Sequence, residues 1–313
     1  MDPEILRLDQ VARGGVAPRL ANLTFQPVPV QGGNVLIIRV PRSFAQPHRI
    51  IRRGSNRFWA RGAAGKYEPD VNELRRLFLS APQLADRMRD FRTSRVAQIA
   101  ADQAPVLLMT RGTLIIHAIP LSAFDMPTEV SLIEMQRNYR VFKPIGSQMA
   151  NGARITYDGI LKTSNADPRA TQHRAYTMLH RNGILESVTS TIISDTAKTI
   201  LSIDDTLVRE ICSNLSDLAS IGIEPPYAVS VSLTGVRGAR FNFVRPNTNA
   251  WLEDLSVPLD RDQYLPPEII FESVPINASG CAQVIRPILD QLANAGGGAA
   301  SPIFDQHGRY IPI

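Results

Sequence analysis

The 313-residue sequence has only two cysteines, Cys212 and Cys281, and no long apolar run. The two cysteines belong to no CxxC or Cys/His cluster, which argues against a zinc motif and favours buried thiols in a reducing compartment. No apolar stretch approaches the roughly 18 residues that a membrane-spanning helix needs. The opening residues contain no basic leader followed by an apolar segment. We therefore expect a cytoplasmic protein with no membrane partner.

Acidic residues are missing from one long part of the chain. Between Asp9 and Glu68 there is no aspartate or glutamate, whereas ten basic residues occur there. Residues 1–100 contain 17 basic and 8 acidic side chains, and residues 101–313 contain 17 and 21. Charge asymmetry of this kind informs about partners rather than about fold. It predicts a polyanionic partner for the first third of the chain.

Lysine is also scarce, because 30 of the 34 basic residues are arginine. The flat guanidinium group of arginine suits bidentate contacts with phosphate. A GC-rich coding sequence would raise the arginine content everywhere, however. The acid-free local cluster is therefore stronger evidence for phosphate binding than the global ratio.

The cluster is densest in residues 47–67, "PHRIIRRGSNRFWARGAAGKY", which contain five arginines, one lysine and three aromatic residues. The segments "RIIRR" and "RFWAR" are separated by Gly54-Ser55-Asn56, a pattern that predicts a hairpin with a three-residue turn. In an extended strand Arg57, Trp59 and Arg61 share one face. Arg49 and Arg53 add to that face from the partner strand.

Such a face combines phosphate contacts with an indole ring for base stacking. The alternative is a solvated edge hairpin whose charges discourage aggregation and whose tryptophan packs on a neighbour. We assign nucleic-acid contacts to seven side chains: Arg49, Arg52, Arg53, Arg57, Trp59, Arg61 and Lys66.

The usual catalytic and cofactor motifs are not found. The loop "GAAGK", residues 62–66, fails as a Walker A motif because Tyr67 follows the lysine and Ala60 stands where the first glycine is needed. The five histidines have no metal-ligand spacing, and no GxSxG elbow occurs. We therefore expect no catalysis, no metal and no cofactor.

Two capping boxes predict helices just after the acid-free stretch. Asp70 with Glu73 begins one helix, and Ser80 with Gln83 begins a second that ends near Ala101. Strand patterns follow, with predicted hairpins over residues 106–121 and 175–188. The second hairpin contains Asn182-Gly183, which favours a type I′ turn.

Paired strands followed by single helices, without regular βαβ alternation, indicate an α+β fold. We place a domain boundary near residue 103. The first domain then spans residues 1–103, and a second α+β domain spans residues 104–313.

The order of "RVPRS", "PHRI" and "GSNRFWARGAAGKYEPDVNELRRLF" resembles the C-terminal half of the Schlafen-type AlbA-like domain of bacterial proteins. The resemblance covers roughly residues 1–80 and implies a DNA- or nucleic-acid-binding module. Residues 81–313 are similar to the region that accompanies this domain in bacteria, through "RNGILE", "LDRD", "LPPE" and "SPIFDQHGR". That second resemblance implies no activity.

The sequence departs from the family at its beginning, where the complete domain has a segment with a glutamate pair. In the nuclease members of the wider family, this segment supplies the metal-binding carboxylates. We interpret the chain as an N-terminally incomplete domain, through a truncated gene or a misplaced start codon, and as a sequence-tolerant DNA- or RNA-binding protein. One alternative is a metal-dependent nuclease or nucleotide hydrolase whose catalytic segment is missing from this chain. The other is a protein-interaction or sensor module acting in defence or regulation, with a protein partner bound by the C-terminal domain.

Overall fold

A computed structural model describes residues 3–20, 23–40, 43, 45–63, 65–109, 112–124, 131–138, 140–149, 151–165, 170–194, 197–245, 250–251 and 256–312. Helices and strands occur in several separate sheets, which confirms the α+β class. The chain divides into two compact units, residues 1–88 and residues 89–313. The domain boundary near residue 103 stays a prediction, since this division falls within a helix that ends at Ala100.

The first unit contains one helix, short strands and the beginning of a second helix. Its elements, in chain order, are α1 (Pro3–Gly15), β1 (Val16–Ala17), β2 (Thr24–Val30), β3 (Gly33–Arg39), β4 (Arg49–Ile50), β5 (Arg57–Phe58), β6 (Ala60–Gly62), β7 (Gly65–Tyr67) and α2 (Val71–Ala100). The strands form a three-stranded sheet, β1-β4-β5, and the two hairpins β2-β3 and β6-β7.

Helix α2 replaces the two helices predicted from the capping boxes. One of the two hydrogen bonds of the first capping box is present, since the Glu73 backbone N–H donates to Asp70 Oδ1 at 2.7 Å. The Glu73 side chain instead accepts from the Tyr67 hydroxyl. The second start, at Ser80, was wrong, since the helix continues through Pro82. A proline inside a helix removes its own hydrogen-bond donor. The residues on both sides keep the helical conformation, so Pro82 interrupts α2 less than the sequence pattern indicated.

The β2–β3 hairpin carries apolar side chains that remain accessible to water. Its two strands pair antiparallel over their whole length, from Thr24 opposite Arg39 to Val30 opposite Gly33. Val35, Ile37 and Ile38 are each about half exposed. An uncovered apolar strand of this kind favours aggregation.

The second unit is built on a large antiparallel sheet. Its elements, after the end of α2, are β8 (Thr113–Pro120), α3 (Leu132–Arg137), β9 (Asn151–Ile155), β10 (Gly159–Thr163), β11 (Ala175–His180), β12 (Leu185–Thr189), β13 (Thr199–Leu201), α4 (Ile203–Ser220), β14 (Tyr227–Thr234), β15 (Arg240–Asn242), β16 (Val244–Arg245), β17 (Ala250–Trp251), β18 (Gln263–Tyr264), β19 (Ile269–Phe271) and α5 (Ala278–Ala295). The sheet order is β18-β14-β8-β12-β11-β10-β9, and β19 also pairs with β14.

One of the two predicted hairpins of this unit is wrong. Strand β8 pairs with β12 and β14, so residues 106–109 are not its partner. Leu108 instead forms a parallel bridge with His173. Arg111, the first residue of the turn predicted at Arg111-Gly112, lies outside the described residues. The buried, largely apolar β8 finds its partners far away in sequence, which a local pattern does not encode.

The other hairpin, β11–β12, is confirmed, but its turn is not type I′. A type I′ turn needs positive φ at both central residues. Gly183 has φ +84°, whereas Asn182 is not in the left-handed region. The Gly183 N–H donates a hydrogen bond to the His180 carbonyl. The His180 N–H donates to the Ile184 carbonyl. Only the glycine therefore supplies the special backbone conformation.

Both faces of the central sheet are covered within the second unit. One face packs with α4 and α5 in the main core, through residues such as Leu207, Ile211 and Ile285. On the other face, Val96 and Ile99 of the last part of α2 pack in a smaller core. Among the described residues, no helix is long and apolar enough to cross a membrane.

The first turn of helix α4 contains an aspartate that is 1% exposed, Asp204. Its carboxylate accepts from the Asp205 backbone N–H at 3.1 Å and from Ser301 Oγ at 3.5 Å. Burial raises the pKa of Asp204 from 3.8 to about 6. Because the folded state holds this proton more tightly than the unfolded chain, stability falls as pH rises from 3.8 through 6.

We expect Asp204→Asn to raise the free energy of unfolding at pH 7 by about 1–3 kcal/mol, since one pKa unit corresponds to about 1.4 kcal/mol. The amide keeps the acceptor for Asp205 and offers a donor to Ser301. Urea denaturation at pH 4, 5, 6 and 7 measures the effect. An increase at pH 7 that disappears near pH 4 is the expected profile. Equal or lower stability of the variant at pH 7 would contradict it.

Candidate nucleic-acid interface

The basic hairpin of the first unit is held by backbone pairing and one aromatic contact. In the sheet β1-β4-β5, Arg49 pairs with Ala17 on one side and with Phe58 on the other. The Ile51 N–H donates to the Gly15 carbonyl at 2.9 Å, which fixes the chain after β4 against the end of α1. The Phe58 ring packs edge-on against Phe78 of α2, with 5.8 Å between ring centroids.

The register of this hairpin differs from the predicted one. A three-residue turn would place Arg53 opposite Arg57, but Ile50 occupies that position and residues 51–56 form the connection. Residues directly opposite each other in an antiparallel pair share a face, and an odd shift in register exchanges the faces. Arg49 therefore lies on the same face as Phe58 and not, as predicted, on that of Arg57.

The predicted strand "RFWAR" is also broken. Strand β5 ends at Phe58, and Ala60 begins β6, which pairs with β7 in a separate hairpin. Trp59 lies between the two strands. The single face of Arg57, Trp59 and Arg61 is therefore not formed as one continuous strand.

Three of the predicted residues instead form what we call the indole cluster: Trp59, Arg61 and Lys66. Arg61 and Lys66 are directly opposite each other in the β6–β7 pair and so project from the same face. Lys66 Nζ lies 5.0 Å from the centroid of the Trp59 ring, a cation–π contact. Trp59 remains 39% exposed. An exposed ring and two cations are thus placed side by side.

Arg57 differs from the other cations because it is neutralised within the same unit. Its Nη1 donates to Glu68 Oε1 at 2.6 Å, and both side chains are about half exposed. The second acid next to the cluster, Glu73, accepts from the Tyr67 hydroxyl at 2.6 Å. This hydrogen bond raises the pKa of Tyr67. Glu68 and Glu73 therefore each engage a side chain outside the indole cluster.

The remaining cations, Arg49, Arg52 and Arg53, lie on β4 and in the connection after it. All three are exposed. The turn is closed by the Ser55 N–H, which donates to the Arg52 carbonyl at 3.1 Å. Arg53 has φ +53°, a left-handed conformation that costs a residue with a side chain roughly 1 kcal/mol. Within the described residues, none of these three guanidinium groups, nor that of Arg61, forms an ion pair.

A second polar cluster, which the sequence patterns did not predict, is buried in the other unit around Glu186. This carboxylate is 0% exposed and accepts two hydrogen bonds from Arg95, each 2.8 Å long. The Tyr176 hydroxyl donates to it at 2.8 Å, and His117 Nε2 lies 3.0 Å away. Burial alone would raise the pKa of Glu186, but hydrogen bonds from Arg95 and His117 lower it below its ordinary value.

Two histidines flank Phe91 of α2 beside this cluster. The centroid of the Phe91 ring is 5.4 Å from that of His117 and 5.5 Å from that of His180. Burial lowers the pKa of His180 to about 4, which keeps the imidazole neutral at neutral pH. The part of the chain that the structure describes contains no group of three or more His, Cys, Asp or Glu side chains able to hold a metal ion. Through the two hydrogen bonds from Arg95, the Glu186 cluster fastens the last part of α2 to the sheet.

The chain matches no protein-family model, no curated protein and no solved structure. The Schlafen-type resemblance stays a prediction.

Proposed function

We propose that the first unit binds nucleic acid without strong sequence preference. The support comes from five exposed basic side chains that have no carboxylate partner among the described residues: Arg49, Arg52, Arg53, Arg61 and Lys66. Two of them, Arg61 and Lys66, belong to the indole cluster with the exposed Trp59. The acid-free sequence from residue 10 to residue 67 keeps competing carboxylates few. Guanidinium and ammonium groups in such a setting contact phosphate oxygens, which every nucleic acid presents.

The chemistry of these groups explains why little sequence selectivity is expected. Phosphate contacts position a nucleic acid but do not distinguish its bases. Stacking on an indole ring tolerates every base, because each base has a π-face. Lys66 covers one face of the Trp59 ring, so a stacked base would use the ring area that is still exposed. The combination suits a single strand or a locally opened duplex.

The contrast between Arg57 and Arg61 gives a matched test of this proposal. Each phosphate neutralised on duplex DNA contributes about 0.9 to the slope of log affinity against log salt concentration. We expect Arg61→Ala to reduce the slope by about that amount. We expect Arg57→Ala to change it less, since Glu68 already balances the Arg57 charge.

The measurement is fluorescence anisotropy with a labelled duplex between 50 and 200 mM salt. If both variants kept the wild-type affinity and slope, the interface would be assigned to the wrong residues. The same samples are incubated with DNA, RNA and ATP in the presence of Mg²⁺ or Mn²⁺. Turnover in any of them would overturn the binding-only proposal in favour of the enzyme alternative.

A further inference from the structure

The second unit contains a cavity of about 310 Å³ that neither the basic surface nor the Glu186 network explains. Leu114, Ile200 and Ile203 form much of its aliphatic lining, and each is almost fully buried. Ile203, Thr206 and Arg209 recur at a spacing of three residues, so a single face of α4 lines the cavity. Small-molecule sites have this character, with apolar walls and a few polar groups in a volume of about 300–1,000 Å³.

The polar group that distinguishes the cavity is the guanidinium of Arg174. Its Nη2 donates to the Gly146 carbonyl and to Ser147 Oγ, each at 3.1 Å. Within the described residues no carboxylate pairs with Arg174. The other N–H groups of the Arg174 guanidinium make no hydrogen bond to any described residue. Only one edge of this half-buried guanidinium is hydrogen-bonded. Its other N–H groups are therefore available to a ligand.

The backbone next to this guanidinium leaves room for it. Gly146 has φ +70°, and a Cβ atom at this position would lie 2.7 Å from Arg174 Nη1. The backbone conformation therefore favours glycine. A side chain at position 146 would also displace the Arg174 guanidinium from its present position.

The described acids near the cavity engage cations other than Arg174. Arg209 Nη1 pairs with Asp205 at 2.9 Å, and its Nε lies 3.7 Å from Glu210. Lys143 is close enough to Glu210 to lower its pKa, although burial, the larger effect, raises it. Asp217 is likewise close to Lys143. Within the described residues these acids are therefore engaged by Arg209 and Lys143, and the Arg174 guanidinium is left without a carboxylate partner. The carboxylate of a ligand supplies that partner.

We propose that this cavity binds a small monocarboxylate with an apolar body, such as a short aliphatic or aromatic carboxylic acid. The carboxylate accepts hydrogen bonds from Arg174, for which its planar geometry is suited. The apolar body contacts the aliphatic lining. The Thr206 hydroxyl lies in the same lining and makes no hydrogen bond to the described residues, so it offers a second donor.

The probes are benzoate and hexanoate, with benzamide and hexanamide as uncharged controls of nearly the same shape. We expect the carboxylates to bind to the full chain in isothermal titration calorimetry and to raise its melting temperature. The amides should bind at least tenfold more weakly, because they lose the charge-assisted hydrogen bond. Equal binding of acid and amide, or no binding of either acid, would overturn the proposal.

Two variants locate the site. Arg174→Gln removes the cation and should weaken carboxylate binding at least tenfold. Thr206→Leu fills the cavity from α4 without touching Arg174 and should abolish binding. Arg181→Gln, at an exposed arginine elsewhere in the unit, is the control and should leave binding unchanged. Circular dichroism melts check folding. Unchanged affinity in folded Thr206→Leu would place any bound carboxylate elsewhere and overturn the proposal, even if Arg174→Gln failed to fold.

Discussion

Replacing Arg95 by alanine is expected to lower the free energy of unfolding by about 3–5 kcal/mol. The reason is that removal of one partner leaves an uncompensated charge in the interior. Glu186 is fully buried and receives two of its hydrogen bonds from Arg95. Without them the carboxylate keeps only Tyr176 and His117 as partners. Urea denaturation at pH 7 measures this loss.

Arg89→Ala is the matched control, because Arg89 lies on the same helix and its side chain is largely exposed. Its Nε is 3.5 Å from Glu268, and 61% of the side chain is accessible. Exposed pairs contribute about 0–1 kcal/mol. The two substitutions change helix propensity equally, so their difference isolates the buried pair. Equal costs for Arg95→Ala and Arg89→Ala would refute the role assigned to the Glu186 cluster.

The stability lost on Arg95→Ala should depend on pH, and the direction of this dependence is defined. In the wild type the pKa of Glu186 is held below its ordinary value, so its contribution to stability is present above the unfolded pKa of about 4.5 and is lost as pH falls. In Arg95→Ala burial prevails and protonation of Glu186 relieves the unpaired charge. The cost of the substitution should therefore shrink between pH 7 and pH 4.5. A cost that grows on acidification would contradict this account.

The second large effect concerns the salt dependence of nucleic-acid binding. If the five unpaired cations of the first unit each neutralise one phosphate, the slope is about −4.5, and affinity for duplex DNA falls about 500-fold between 50 and 200 mM salt. Replacing all five should abolish most of this dependence. We use Asn at position 53, because asparagine tolerates the left-handed backbone, and Gln at the others: Arg49→Gln, Arg52→Gln, Arg53→Asn, Arg61→Gln and Lys66→Gln.

A control with the same change in net charge separates a local interface from overall charge. It removes five exposed arginines of the second unit, each replaced by glutamine: Arg137, Arg181, Arg237, Arg261 and Arg309. We expect this control to keep most of the wild-type slope. Equal losses in the two variants would mean that binding follows net charge and that the first unit has no special surface.

Elements with a strong local pattern could be predicted from the sequence. The Asp70 cap, the apolar spacing of α4 and the buried strand β14 all depend on residues within one segment. The continuity of α2 could not be predicted, because the pattern around Pro82 is equally typical of a helix start. Such patterns record local preferences, which packing of the whole helix overrides.

The composition of the candidate interface was predictable, but its geometry was not. The exposed cations and Trp59 follow from an acid-free segment rich in arginine. Their arrangement depends on the register of β4 and β5, which a turn of unexpected length shifted by an odd number of residues. The neutralisation of Arg57 also depends on this geometry, because Glu68 belongs to the next hairpin.

The Glu186 cluster and the carboxylate cavity had no usable local signal. Arg95 and Glu186 are 91 positions apart in sequence and meet only because α2 packs on the sheet. A glutamate between apolar residues in "ILESV" was the one indication that a buried carboxylate needs a partner. The cavity also has no local sequence signal, since Gly146 and Arg174 come together only in the folded unit.

The central claim, that the Trp59 region contacts nucleic acid, is tested most directly by ultraviolet cross-linking of the full chain to a single-stranded oligonucleotide. Trypsin cleavage after Arg57 and Arg61 releases the tetrapeptide Phe58–Arg61 for mass spectrometry. We expect the nucleotide adduct on this peptide. Trp59→Ala should remove it and weaken single-strand binding by about 1–3 kcal/mol. Adducts confined to residues 89–313, or unchanged binding by Trp59→Ala, would contradict the account.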